Sequence, residues 1–210
     1  MLSAGRLRLP YYMINWPVLA VDEQALVTGS EGTMDNVLSA ARAVLSTTAQ
    51  RWLDVARLLP EELLSRAPAP GEWSAAECLG HLLDTERAVF PARVQAILAG
   101  HDFANFDPDA QGTPPGLLPV GSMAAEFAQL RAGSLAALDH VRPADLARTA
   151  RHSELGIVTL NELLHEWAAH DLMHTVQAER ALMQPFIAGC GPWRPYFRDH
   201  DARLGQDDQQ

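Results

Sequence analysis

The sequence predicts an all-α fold, a bundle of four long helices. Apolar residues recur at spacings of three, four and seven along most of the chain, two capping boxes mark helix starts, and strand-like alternation is almost absent. The 210 residues are 48% hydrophobic, which is enough to bury one sizeable core. We therefore expect one globular domain over residues 34–183.

The first predicted helix covers residues 34–59 and ends near Pro60. Its apolar residues form one stripe at helical spacing: Val37, Val44, Leu45, Trp52, Val55, Ala56 and Leu59. The second predicted helix starts at the capping box of Ser74 and Glu77, after a proline-rich link, and runs to about Gly100.

Residues 101–120 include FDPDAQGTPPG, which is incompatible with helix. Ser122 is the predicted N-cap of a third helix, which continues through Val141. The fourth helix opens at a second capping box, Thr159 and Glu162, and is expected to end near Met183, before Pro185.

Both ends of the chain differ from the predicted bundle. Residues 1–33 carry no sustained helical period and finish in TGSEGT, so they are interpreted as an N-terminal extension, with Met34 a candidate for the natural start. Residues 184–210 are rich in Gly and Pro yet partly apolar, and we expect a tail that packs on the bundle.

The lengths of the links predict the order of the helices. Short loops join antiparallel neighbours, whereas the link of about 20 residues between the second and third helices is long enough to return along the whole length of the bundle. The third helix can then start in the same direction as the second. This favours an up-down-down-up order.

Composition excludes several functions. The net charge of −10 and the pI near 5.2 oppose binding to a phosphate backbone, so a nucleic-acid partner is not expected. Two cysteines far apart in sequence suit a reducing cytoplasm. No signal peptide and no apolar segment of membrane-spanning length are evident. We expect a cytoplasmic protein.

The stretch HEWAAHDLMH, residues 165–174, holds three histidines. On a helix, His170 and His174 differ by about 40° and share one face, whereas His165 lies about 140° from His170 and points elsewhere. The protease motif His-Glu-x-x-His is not met, because one residue too many separates the histidines. The pair alone is equally compatible with satisfied core histidines and with metal ligands.

A metal site needs a third ligand from another helix. His81 is the best candidate, because it stands among the apolar residues Cys78, Leu79, Leu82 and Leu83. If the second and fourth helices are antiparallel, its height in the bundle agrees with that of His170 and His174.

Other residues near these histidines have two interpretations. The acids Asp84, Glu166 and Asp171 could orient ligand imidazoles, or could be solvated. Gln177, one turn after His174, is a candidate to face the cavity and hydrogen-bond a bound cofactor or ligand.

Two further residue types near the candidate site favour structural roles. Cys78 is better explained as a small buried hydrophobe than as a nucleophile. Trp52, Trp73 and Trp167 are expected in the core.

Two segments carry a family resemblance. WSAAECLGHLLDTER in the second helix and ELLHEWAAHDLMHTVQ in the fourth resemble the DinB/YfiT-like superfamily over about residues 34–183. The resemblance implies an up-down-down-up four-helix bundle whose metal ligands are His81, His170 and His174. Relatives include bacillithiol-dependent S-transferases and a mycothiol-dependent isomerase.

Three imidazoles without a fourth protein ligand favour an open metal site. We expect zinc or nickel, with iron as a further option, activating a low-molecular-weight thiol or water for attack on a small electrophile. The alternatives are a metal-dependent hydrolase and a non-catalytic, stress-related metal-binding bundle. A small-molecule substrate and a homodimer are the expected partners, and the sequence assigns no catalytic side chain.

Overall fold

The computed structural model describes residues 34–107, 111–113 and 118–203. The elements in chain order are α1 (Met34–Leu58), α2 (Glu61–Leu64), α3 (Ala75–Ala88), α4 (Phe90–Ala99), α5 (Val120–Leu138), β1 (Thr149–His152), β2 (Gly156–Thr159) and α6 (Leu160–Gly189). Two 3₁₀ segments, Pro143–Ala147 and Gly191–His200, follow α5 and α6 respectively. The predicted N-terminal extension, residues 1–33, lies outside the described residues. Among those described, no helix combines the length and apolar character needed to cross a bilayer.

The predicted four-helix bundle is confirmed, and contacts between helices define its order. Three residues between the link before α3 and the start of α4 contact residues of α6 in the reverse order along the chain. Glu72 pairs with Arg180, His81 contacts His170, and Phe90 stacks on Trp167. The second and fourth helices of the bundle are therefore antiparallel.

The third helix runs parallel to the second. Gly80 lies beside Met123, and Glu86, further along α3, hydrogen-bonds to Ser134, further along α5. Helix α1 is antiparallel to α5, since Arg42 pairs with Asp139 while the later Leu45 carbonyl accepts from the earlier Arg131. These directions confirm the up-down-down-up order.

Both capping boxes are present. Ser74 accepts from the Glu77 amide and Glu77 accepts from the Ser74 amide, and Thr159 and Glu162 do the same at α6. The reciprocal bonds satisfy amides that a helix start otherwise leaves unpaired. The starts of the two histidine-bearing helices are thereby fixed.

The second helix is broken, which differs from the prediction of one uninterrupted helix to Gly100. Val89 departs from helical geometry, with φ −113° and ψ −77°, and Pro91 lies in the first turn of α4. A proline lacks the amide hydrogen that a continuous helix needs and its ring clashes with the preceding turn, so a new helix begins just before it.

The other helix ends also need correction. Helix α5 starts at Val120 after Pro119 and uses no side-chain cap, so the predicted cap at Ser122 is wrong. Helix α6 continues through Pro185 to Gly189, beyond the predicted end at Met183. Contacts with the C-terminal segment hold this last part, because the Gln184 side chain donates to the His200 carbonyl and accepts from the Ala202 amide.

A β-hairpin between α5 and α6 was not predicted. Thr149 pairs with Thr159 and His152 with Gly156, in antiparallel register, and Gly156 adopts a φ of 81° at the turn. Four-residue strands are too short for alternation to be recognised in the sequence.

Among the described residues, the core has two apolar clusters. One contains Leu45, Phe90, Ile97, Leu138, Leu160, Leu164 and Trp167, and the other contains Trp52, Leu64, Leu79, Leu82, Leu83 and Phe127, among others. Arg131 contacts both, since its guanidinium lies 4.7 Å from the ring centre of Phe127 and 5.4 Å from that of Trp167.

The side chain of Arg131 is only 1% exposed and is fully paired. It bonds to Asp171 at 2.6 and 3.1 Å, to Glu86 at 2.9 Å and to the Leu45 carbonyl at 3.0 Å. Ser134 donates to the second oxygen of Glu86 at 2.6 Å. This buried network joins helices α1, α3, α5 and α6.

We predict that Arg131→Met lowers the free energy of unfolding by about 3–5 kcal/mol, because it leaves two buried carboxylates uncompensated. Urea denaturation measures the change. The matched control is Arg148→Met, at a half-exposed arginine 3.7 Å from Asp145, and a loss below about 1 kcal/mol is expected there. Equal losses in the two variants would contradict the role assigned to the network.

Candidate metal centre

Two helices bring three histidines together. His81 on α3 and His170 and His174 on α6 each offer a ring nitrogen, and these nitrogens all lie within 4.8 Å of one another. Among the described residues, no other histidine, cysteine or acid joins this group. The three residues predicted from sequence therefore do converge.

The spacing of the donors suits one shared ion. The Nε2 atoms of His81 and His170 are 3.1 Å apart, and the ring centres of His170 and His174 are 4.5 Å apart. Two nitrogens held about 2.1 Å from one cation would lie roughly 3.0–3.4 Å apart, for angles between 90° and tetrahedral. The His81–His170 pair therefore has the spacing of two imidazole ligands of one transition metal ion, and His174 offers a third nitrogen within 4.8 Å of both.

Gln177 fixes the orientation of His174. The Nδ1–H of His174 donates to Gln177 Oε1 at 2.9 Å, which leaves the Nε2 lone pair directed into the cluster. Gln177 thus contacts a ligand imidazole, and its predicted contact with a bound cofactor or ligand stays a prediction. His170 Nδ1 is buried and has no hydrogen-bond partner among the described residues.

Burial keeps the three imidazoles neutral. Desolvation, reinforced by the neighbouring histidines, lowers the pKa of His170 to about 3, and desolvation with the charge of His81 lowers that of His174 to about 4. The pKa of His81 is also lowered by burial. At neutral pH the imidazoles are uncharged, so metal binding does not require the loss of a proton from an imidazolium ion.

Aromatic rings surround the cluster. Trp73 stacks on His174, with ring centres 5.6 Å apart, and Phe90 meets His170 edge-on at 5.1 Å. Trp73 was expected in the core; it is only partly buried and forms a wall of the site, whereas Trp52 and Trp167 are core residues. The position of Trp73 just before the capping box was the one sequence signal that placed it near the first turns of α3.

Several candidates from the sequence do not join the cluster. His165 is exposed and donates to the Asn161 carbonyl at 2.9 Å, as its angle on the helix predicted. Asp171 bonds to Arg131 and Asp84 to Thr113, so neither acid orients a ligand imidazole. Glu166 faces Arg93 at 4.0 Å.

Cys78 is fully buried, as expected of a small hydrophobe. Burial raises the pKa of its thiol to about 12. The reactive thiolate is therefore absent at neutral pH, which excludes Cys78 as a nucleophile.

The fold and the cluster together define a four-helix bundle with a three-histidine site able to hold a metal ion. A sequence model of the DinB superfamily matches residues 45–178, and the chain belongs to this superfamily. The matched segment contains all three histidines.

Among solved structures, the chain is similar to YfiT from Bacillus subtilis, described as a probable metal-dependent hydrolase with an unusual four-helix bundle topology. The two chains are 16% identical, with a TM-score of 0.57, over 79% of this chain and 90% of that chain. At this identity the similarity establishes a shared fold. Comparison with curated protein sequences returned no match.

We predict that the metal-free protein loses stability as the pH falls below about 6.5. Unfolded histidine titrates near 6.5, whereas the folded pKa values of His170 and His174 are about 3 and about 4. Between these values the unfolded state binds more protons, so each histidine costs at most about 1.4 kcal/mol per pH unit. Urea denaturation of EDTA-treated protein between pH 7 and 4.5 measures the slope.

Two variants test the assignment of this slope. His170→Leu removes one of the titrating groups and should flatten the profile, whereas His165→Gln, at an exposed histidine, should leave it unchanged. A wild-type profile as flat as that of His170→Leu would show that the cluster does not govern acid stability.

Proposed function

We propose that the protein is a metal-dependent enzyme in which His81, His170 and His174 hold a divalent transition metal. Zinc and nickel are the first candidates and iron the third, because imidazole suits all three. The observation that supports this proposal is that three uncharged imidazoles from two helices place ring nitrogens within 4.8 Å of one another. When bound, the ion would supply a positive charge that lowers the pKa of a thiol or a water molecule.

The surrounding residues support this role in two ways: they hold the imidazoles in place, and they leave the histidines accessible to a small molecule. Gln177 holds the tautomer of His174, and Trp73 and Phe90 flank the imidazoles. His81 and His170 remain partly exposed, so a small molecule can reach them. Three protein donors leave coordination positions for a substrate, as in catalytic rather than structural sites.

The attacking group is proposed to come from solution. Cys78 is excluded by its burial and raised pKa, and Cys190 follows His174 by 16 residues, about 24 Å along the helix. This supports a low-molecular-weight thiol as the nucleophile, in an S-transferase type of reaction. Water is the second candidate, which the description of YfiT as a probable metal-dependent hydrolase favours. A homodimer stays a prediction.

The two nucleophiles are separable by assay. Turnover of 1-chloro-2,4-dinitrobenzene only with added thiol would support transfer, and thiol-independent turnover of 4-nitrophenyl acetate would support hydrolysis. Full metal occupancy without turnover of either compound class would favour the non-catalytic metal-binding alternative.

We predict that His81→Ala and His170→Ala abolish stoichiometric metal content, since each removes one of three donors. Elemental analysis of purified protein measures the metal. The matched control is His165→Ala, on the same helix and exposed, which should retain the wild-type content. Full occupancy in both cluster variants would refute the ligand assignment.

We predict that Gln177→Leu weakens metal affinity about 10–100-fold, because the partner that orients His174 is lost. Competition with a chromogenic chelator measures the affinity. Gln129→Leu, at an exposed position of α5, is the control and should bind metal as the wild type does. An unchanged affinity in Gln177→Leu would show that Gln177 does not position the ligand.

A further inference from the structure

A second buried polar cluster lies beside the histidine site. Arg93 on α4 is 9% exposed and His152 at the end of β1 is 5% exposed. This cluster was not predicted from the sequence, since the hairpin that carries His152 was not predicted either. Neither residue has a role in the proposed metal site.

Arg93 lacks a close acceptor among the described residues. Its nearest oxygen is the Ala104 carbonyl at 3.4 Å, and the Glu166 carboxylate is 4.0 Å away. Its guanidinium also lies 5.3 Å from the ring centre of Phe103. The other buried guanidinium described above, that of Arg131, makes hydrogen bonds of 2.6–3.1 Å. The contacts of Arg93 with its acceptors are longer than these.

His152 presents a second donor to the same space. Its Nδ1 accepts from the amides of Glu154 at 3.1 Å and Leu155 at 3.3 Å, so the ring proton is on Nε2. That Nε2 lies 3.5 Å from Nη2 of Arg93, which is also a donor. Two N–H groups therefore converge with no acceptor between them, an arrangement that an anion would satisfy.

We propose that Arg93 and His152 form a binding site for the carboxylate of a small organic molecule. The planar guanidinium fork matches a carboxylate, and the Nε2–H of His152 supplies a further donor. The ring of Phe103, edge-on to His152 at 5.5 Å, provides an apolar wall for the rest of the molecule.

The hairpin pre-forms this site. The Phe103 amide donates to the Arg151 carbonyl at 3.0 Å, and the Ser153 amide donates to the Phe103 carbonyl at 3.1 Å. These bonds tie the loop after α4 to the strand that carries His152. A site ordered in advance loses less entropy when a ligand binds.

The carboxylate site adjoins the three-histidine cluster. Glu166 precedes His170 by one turn of α6, about 6 Å along the axis, and Phe90 precedes Arg93 by three residues on α4 and contacts His170. One molecule can thus place its carboxylate at Arg93 and its reactive group at the histidines. The inference that one molecule spans both sites rests on the proposed function, and it narrows the class of substrates to electrophiles that carry a carboxylate.

Glu166 competes for the site. Its side chain is 53% exposed and stands near the guanidinium without a close contact. Removing this carboxylate should therefore strengthen the binding of another one.

The test is an NMR titration of the full-length protein with acetate at pH 7, as purified and after EDTA treatment. We expect a saturable shift of the Arg93 Nε–H resonance in both preparations, lost in Arg93→Gln. In Glu166→Gln we expect binding at least ~3-fold tighter, since a like charge is removed. Arg148→Gln, which removes an exposed arginine charge, should bind acetate as the wild type does.

Several outcomes would overturn the proposal. They are a linear, non-saturating shift of Arg93, a shift equally large at Arg148, tighter binding of inorganic phosphate than of acetate, and unchanged or weaker binding in Glu166→Gln. The Glu166→Gln comparison keeps the test decisive if Arg93→Gln fails to fold. Because EDTA-treated protein is included, this result is independent of the metal analysis that tests the proposed function.

Discussion

One guanidinium, that of Arg131, contacts every long helix of the bundle. It projects from α5 to Glu86 on α3, Asp171 on α6 and the backbone of α1, at less than 2% exposure. A charge in this position is costly unless its hydrogen bonds are complete, so only one arrangement of the helices is acceptable.

The histidine site depends on that arrangement. Asp171 follows His170 directly, and Glu86 follows His81 by five residues, so the network sets the register of the two helices that carry the imidazoles.

The sequence predicted those features that depend on local chemistry. Capping boxes located the starts of α3 and α6, helix periodicity separated His165 from His170 and His174, and the long link before α5 indicated the bundle order. Prolines were harder to interpret, since Pro91 begins a new helix whereas Pro185 is carried inside one. The difference comes from tertiary contacts at the end of α6. The approach of Arg93 to His152, 59 residues apart, likewise exists only after folding.

The cluster also spans a long stretch of chain. His81 and His170 are 89 positions apart, so an ion held by both would close a loop that covers almost half of the protein. An ion that binds only when these two segments have come together would stabilise the folded state by an amount set by its concentration relative to its dissociation constant. The donors meet only once the second and fourth helices have docked. Metal capture would then be a late event in folding, one that would slow unfolding and leave the early steps of folding unchanged.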